Sequence, residues 1–158
     1  MTSKEELLAE FDEAWSHPWE SLGAILKDVS EEEAWYQHKI YAKEEREEGH
    51  SPSGTILWHL VHLGQCYRWY RSWISSRPNK PSEVLPPEAT SLAEGIVNVK
   101  LCRDELRDCL SSLSEEQLNE KLYGGKTVID LARASVRHDA WHGGQIAVAK
   151  RLYRMREK

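Results

Sequence analysis

Three observations on this 158-residue chain predict an all-α fold with four principal helices and two short ones. Apolar residues recur at three- and four-residue steps through most of its length, the period of a helix face. Hydroxyl residues, several with an acidic or amide partner three positions on, stand ahead of these runs as cap signals. Clean period-two alternation, the mark of a half-buried strand, occurs nowhere. The chain 1–158 reads as one domain, long enough to bury a real core.

Thr2 or Ser3 caps a first helix with Leu7, Leu8, Phe11 and Trp15 on one face. Ser16-His17-Pro18 ends it, because proline disfavours helix in the residue before it. Pro18 is then expected in the first turn of a second segment bearing Leu22, Ile25, Leu26 and Val29. Ser30, followed by Glu31-Glu32-Glu33, caps a short helix through Trp35. Residues 37–51 are polar and charged and read as a solvated loop or a fraying turn.

Ser51-Pro52-Ser53-Gly54-Thr55 starts a long helix to about Ser75. Trp58, His62, Cys66 (or Gln65), Trp69 and Trp73 share one face, and Leu60, Leu63, Tyr67, Tyr70 and Ile74 widen the apolar arc. The aromatic stripe reads as core packing. Pro78, Pro81, Pro86 and Pro87 make the next stretch a stiff, partly extended crossover. Ser91-Leu92-Ala93-Glu94 is a capping box for a helix to about Ser112, and Ser114-Glu115-Glu116-Gln117 repeats the box for a short one. Tyr123-Gly124-Gly125 breaks the chain. Thr127 with Asp130 caps a final helix whose face carries Leu131, Ser135, His138, His142, Gln145 and Ala149.

The formal charge of −5 argues against general affinity for nucleic acid, and no apolar run approaches the roughly 20 residues that span a bilayer. An acidic, helical N-terminus without a signal-peptide core makes a cytoplasmic location the expectation. The charge is uneven: residues 1–50 hold 5 basic and 14 acidic side chains, residues 121–158 hold 9 and 3. Lys150, Arg151, Arg154, Arg156 and Lys158 are expected on the last turns of a helix, facing water and its negative dipole end. Cys66, Cys102 and Cys109 lack C-x-x-C spacing and read as buried free thiols.

The chemistry concentrates in His138-Asp139-Ala140-Trp141-His142-Gly143-Gly144-Gln145-Ile146. Histidines at i and i+4 lie one turn apart on one helix face, close enough to hold a single metal ion. His62, on the inward face of another helix, is the candidate third ligand. His17, His38, His50 and His59 are weaker candidates. Three neutral imidazoles with open positions make the catalytic kind of zinc site and also suit nickel or ferrous iron. Cys66, one turn past His62, would supply a fourth ligand if the site were closed. Asp139 and Gln145 could orient an imidazole from behind. Gly143-Gly144 inside a helix points to close approach of a neighbouring helix, or to ligand access. Glu47-Glu48-Gly49-His50 fits E-x-x-H only formally, and no H-E-x-x-H, G-x-S-x-G, P-loop or G-x-G-x-x-G is present.

With these residues in hand, the chain resembles the DinB/YfiT-like superfamily of metal-binding helical bundles. The Ser-Pro-Ser-Gly-Thr-Ile-Leu-Trp-His-Leu-Val-His-Leu segment at 51–63, His138-x-x-x-His142-Gly-Gly-Gln-Ile and the acidic turn at Ser30 carry the likeness. The resemblance implies a four-helix bundle with a long crossover, often a homodimer. It also implies one divalent metal, zinc or nickel, with iron and manganese as further candidates, on His62, His138 and His142. It prefers His62 to His59, which stays as the rival ligand. Cys66 stands where an acidic or polar residue is common, and Trp141-His142-Gly143 replaces the frequent Tyr-His-Arg. That missing arginine weakens the case for binding an anion there.

Two functions follow from the resemblance. One is a metal-dependent transferase of a low-molecular-weight thiol (bacillithiol, mycothiol or glutathione type) onto a small electrophile, with a metal-assisted hydrolase as the close variant. The other is a non-catalytic dimeric binding or stress-response protein whose metal site is structural or vestigial.

Overall fold

The computed structural model describes residues 2–41 and 51–156. The polar loop's core and the Glu47–His50 pattern lie outside the described residues. Those described form seven helices and no strand: α1 (Ser3–Ser16), α2 (Leu22–Leu26), α3 (Glu31–Trp35), α4 (Ile56–Ser76), α5 (Leu92–Ser111), α6 (Glu115–Leu118) and α7 (Val128–Met155). The fold is all-α.

Local chemistry explains most of the boundaries. Ser30, Ser114 and Thr127 cap their helices as expected, each in a capping box with the residue three positions on, and of the two candidates at the first helix it is Thr2 that caps, also in a box. Two expectations are corrected. Pro18 does not open a helix; Ser21 does, accepting from the Ala24 N–H while its hydroxyl donates to the His17 carbonyl, so α2 is a single turn and a third short helix. At α5 the Ser91 hydroxyl accepts from the Glu94 N–H, but the Glu94 carboxylate accepts from the Thr90 N–H and hydroxyl. That box is displaced by one residue.

The four long helices close a ring of contacts: α4 against α5 and α7, and α1 against α5 and α7. Phe11, Ile56, Leu60, Leu63, Tyr67, Ile74, Leu106, Leu110 and Ile146 fill it. Side-chain pairs set the directions. Arg71 pairs with Glu105, and a Cβ on Gly95 would meet Leu57 and Leu60, so α4 and α5 run parallel. A parallel pair needs a long return, and the Pro-rich segment is that return. It runs back along α4: Gln65 Nε2 donates to the Val84 carbonyl, a Cβ on Gly64 would meet Pro87, and Ala89 packs with Leu57 and Val61. α4 is about 31 Å long, a span that fifteen or so extended residues cover easily. By contrast α7 runs antiparallel to α4, with His142 beside His59 and His138 beside Tyr70. The result is that two histidine-bearing stretches face each other inside the ring.

The basic end of α7 does not simply face water. Lys150 donates to Asp28 and to the Ile25 carbonyl, Arg154 Nε to Glu33 Oε1 at 2.6 Å, and Arg156 Nη2 to Glu32 Oε1 at 2.9 Å. The acidic surplus of the first fifty residues is thus partly matched, in space, by the basic surplus of the last forty. Gly143 and Gly144 divide the two expectations made for them. A Cβ on Gly143 would meet Ile25 Cδ1 at 3.3 Å, while one on Gly144 meets nothing within 4 Å. Only the first is a close approach. Among the described residues, no helix is long and apolar enough to cross a membrane.

Candidate metal centre

The α4 and α7 stretches bring three imidazoles together. One ring nitrogen each from His62, His138 and His142 lie within 4.8 Å of one another, and among the described residues this is the group of donors able to hold a metal ion. Helix geometry supplies two of the three: residues 138 and 142 are one turn apart, about 6 Å along the axis. The third comes from the antiparallel packing of α4 on α7. His142 is buried; His62 and His138 are half-buried and reachable from outside.

His138 Nε2 and His142 Nε2 stand 2.8 Å apart. Two lone pairs cannot face each other at that distance, so either one nitrogen carries a proton or a cation lies between them. The opposite ring nitrogens are also engaged. His142 Nδ1 lies 2.9 Å from His59 Nδ1, and His138 Nδ1 lies 3.1 Å from the Tyr70 hydroxyl. Metal-binding histidines characteristically have such a partner on the far nitrogen, which sets the tautomer and the ring orientation. With protons on both Nδ1 atoms, donated to His59 and Tyr70, the two Nε2 lone pairs are free for an ion. The donor set fits a divalent metal.

Burial keeps the site neutral. It pushes His142 down to about 2, with His138, His59 and His62 adding to the effect. It pushes His59 down to about 4, with a further contribution from His62, and lowers His138 in the same way. An imidazole must be unprotonated to bind a metal, so desolvation here prepares ligands. Trp58 stacks on His62 at 5.1 Å and Trp141 on His138 at 6.1 Å, walling the cluster with flat apolar faces.

The other candidates fall in distinct places. His59 sits behind His142, on the nitrogen remote from His138. Cys66 Sγ is 3.5 Å from His62 Nε2 but outside the mutual 4.8 Å group, and it is half-buried where a buried thiol was expected. Asp139 is buried, and accepts a 2.5 Å bond from the Tyr67 hydroxyl. It is not behind an imidazole. Burial raises its carboxyl to about 7 against the opposing pull of Tyr67 and of Arg103, itself a buried residue of α5 lying over the Phe11 ring. Gln145 is half-buried, and among the described residues no hydrogen bond links it to a histidine. His17 and His38 serve turns, their Nδ1 atoms accepting from nearby backbone N–H groups. His50 lies outside the described residues.

Sequence reasoning passed over Tyr70, taken only as part of an apolar arc. A signal existed: His62, Cys66 and Tyr70 follow at four-residue steps, so periodicity already puts Tyr70 on the ligand face. The expectation that the tryptophan stripe is core packing holds only in part. Trp73 and Cys66 pack against the core, while Trp58 covers His62 and Trp69 is 42% exposed.

A cleft of about 380 Å³ lies on the other flank of α7, lined by Glu10, Glu13, His17, Glu20 and Gly143 among others. It meets the histidine stretch through Asp139 alone among the titratable residues of α7. Its charge suits no anion, and it is not where the nitrogen donors converge.

The all-α architecture, the antiparallel meeting of α4 with α7 and the histidine triad describe a helical protein able to hold a metal. A family model of the DinB superfamily matches residues 14–146, and the chain belongs to that superfamily. No curated protein and no solved structure matches it.

Proposed function

We propose that the protein is a divalent-metal-dependent transferase that joins a low-molecular-weight thiol to a small electrophile, using His62, His138 and His142 as metal ligands. One observation carries the reading: three nitrogen donors converge within 4.8 Å, two of them half-buried, with no carboxylate or thiolate in the group. Three neutral donors would leave the ion's charge unquenched, and the half-buried His62 and His138 leave the group reachable from outside. His62, His138 and His142 would hold the ion, which when bound would supply Lewis acidity that lowers the pKa of a thiol toward neutral pH. The thiol proton passes to solvent, the sulfur lone pair forms the new S–C bond, and the leaving group departs with the electrons of the bond it breaks.

The protein's own residues do the positioning. His59 and Tyr70 hold the two α7 imidazoles with their Nε2 atoms turned together, and Trp58 and Trp141 restrict water around the cluster. The choice of a thiol over water rests on the superfamily resemblance; a hydrolase using the same open position is the close variant. Zinc and nickel suit the three-imidazole set best, with iron and manganese next. Homodimerisation is proposed through exposed apolar side chains such as Val97 and Leu101, one turn apart on α5.

Metal content of protein purified without an affinity tag tests the site first. The wild type is expected to carry close to one ion per chain, and His62→Ala and His138→Ala to carry almost none. Thiol consumption with bacillithiol, mycothiol or glutathione and a panel of electrophiles tests the chemistry. Metal without turnover of any pair would favour the non-catalytic binding protein, and unchanged metal in both variants would remove the site altogether.

A further inference from the structure

A second cavity adjoins the histidines along the α4–α7 groove. It has a volume of about 330 Å³ and is open to one side, with Trp69, Tyr70, Trp73, Tyr123, Lys126 and Ala134 among its lining residues. We propose that it is the pocket for the electrophile's apolar part, and that it selects a small flat aromatic ring bearing a carboxylate. The assignment rests on the metal-centre reading above for its role, but not for its binding.

Three features of the cavity lead there. Its faces are flat and aromatic: Trp69 lies 5.2 Å from Trp73, and Trp73 lies 6.0 Å from Tyr123, all tilted or edge-on, so no pair is closed by stacking on itself. Rings of this kind bind another planar ring by offset or edge contacts. The volume is at the lower end for a small-molecule site and suits one or two fused rings. Lys126 alone among the lining residues is charged, and a lysine on an otherwise apolar wall matches an anionic group on a ligand.

Position links the cavity to the chemistry. Tyr70 lines the pocket and at the same time reaches His138 Nδ1 at 3.1 Å. Ala134, another wall residue, is one turn before His138 on α7, about 6 Å along the axis. The cavity therefore meets His138 through Tyr70, on the Nδ1 side of the ring. The pocket's composition also answers the absence of an arginine after His142: Lys126, from the turn before α7, would supply the cation from the other end of the groove.

Isothermal titration of the full chain with 2-naphthoate, and with the uncharged 2-naphthylmethanol, tests the assignment. Saturable one-to-one binding of naphthoate is expected. Trp73→Ala should weaken it about tenfold, the effect of losing an aromatic face. Trp73→Phe, which keeps a ring but loses the N–H, should weaken it less. Lys126→Ala, a substitution at a loop position, should weaken naphthoate roughly threefold while leaving naphthylmethanol unchanged. Circular dichroism confirms that each variant is folded. Absence of saturable binding, or binding indifferent to Lys126→Ala and to both Trp73 variants, overturns the proposal. His138→Ala separates the two readings: it should remove metal while naphthoate still binds. If metal content is unchanged in that variant, the metal-centre reading fails even where the titration succeeds.

Discussion

The middle of α7 and its C-terminal end sit on one helix and solve opposite electrostatic problems. In the middle, burial holds His138 and His142 as neutral imidazoles, their Nε2 atoms 2.8 Å apart with room for one proton or one cation between them. At the end, Lys150, Arg154 and Arg156 form ion pairs with Asp28, Glu33 and Glu32. The first region is prepared to receive a cation; the second has already matched its own. Gly143 and Gly144 mark the border. The comparison teaches that Lys150, Arg154 and Arg156 clamp α7 to α2, α3 and the turn between them, while the histidine cluster lies in the stretch without such pairs.

The largest expected effect separates the two regions. His142→Ala should abolish metal binding, beyond the roughly 10–100-fold that losing an outer hydrogen-bond partner costs. Elemental analysis after dialysis checks it, and retention of a full complement of metal would sink the triad. Next, His59→Ala and Tyr70→Phe should each weaken metal affinity about tenfold in a competition titration with a chelator, because the far nitrogens lose their partners. Equal affinity in both would mean that the Nδ1 contacts orient nothing.

At the other end, Glu33→Ala should leave metal affinity unchanged while lowering stability by about 1–2 kcal/mol, read from urea unfolding. Glu33 both completes the α3 capping box and accepts from Arg154, so two interactions go at once. The same residue carries a pH dependence. Burial alone would raise its pKa, but the Arg154 guanidinium and the Ser30 N–H together hold it below the ordinary carboxylate value. A depressed folded pKa means that the unfolded chain binds the proton more readily in acid. The contribution is therefore fully present above about pH 4.3 and is lost as pH falls through the lower folded value. Unfolding midpoints of wild type and Glu33→Ala should converge below pH 4; a constant gap down to pH 3 would contradict the sign. The smallest effect falls at the border. Gly144→Ala should raise stability by about 0.5–1 kcal/mol, since it fills open space in a helix interior, while Gly143→Ala should be close to neutral because Ile25 must give way slightly. A thermal melt distinguishes them.

Much of this molecule was legible in local pattern. Cap residues act over three positions, so Thr2, Ser30, Thr55, Ser91, Ser114 and Thr127 announced six helix starts without reference to anything distant. The pair His138 and His142 was legible for the same reason, because four residues of helix is a fixed distance. The Pro-rich stretch disclosed a crossover through its stiffness. Pro18 misled because a nearby serine could cap the same turn better.

Tertiary structure alone decided the rest, through contacts between groups far apart in the chain. His59 and His62 are three residues apart and both on α4; only the rotation of α4 against α7 sends one to the back of His142 and the other into the triad. Periodicity could place Tyr70 on the ligand face but not within 3.1 Å of His138, since that distance depends on how the two helices pack. The acid–base asymmetry of the ends was visible as composition, yet its pairing of Glu33 with Arg154 needed the α2–α3 turn folded onto α7. Short-range hydrogen bonds and helix period are written into neighbouring residues. Desolvation, charge pairing and a three-point nitrogen cluster exist only once the helices pack.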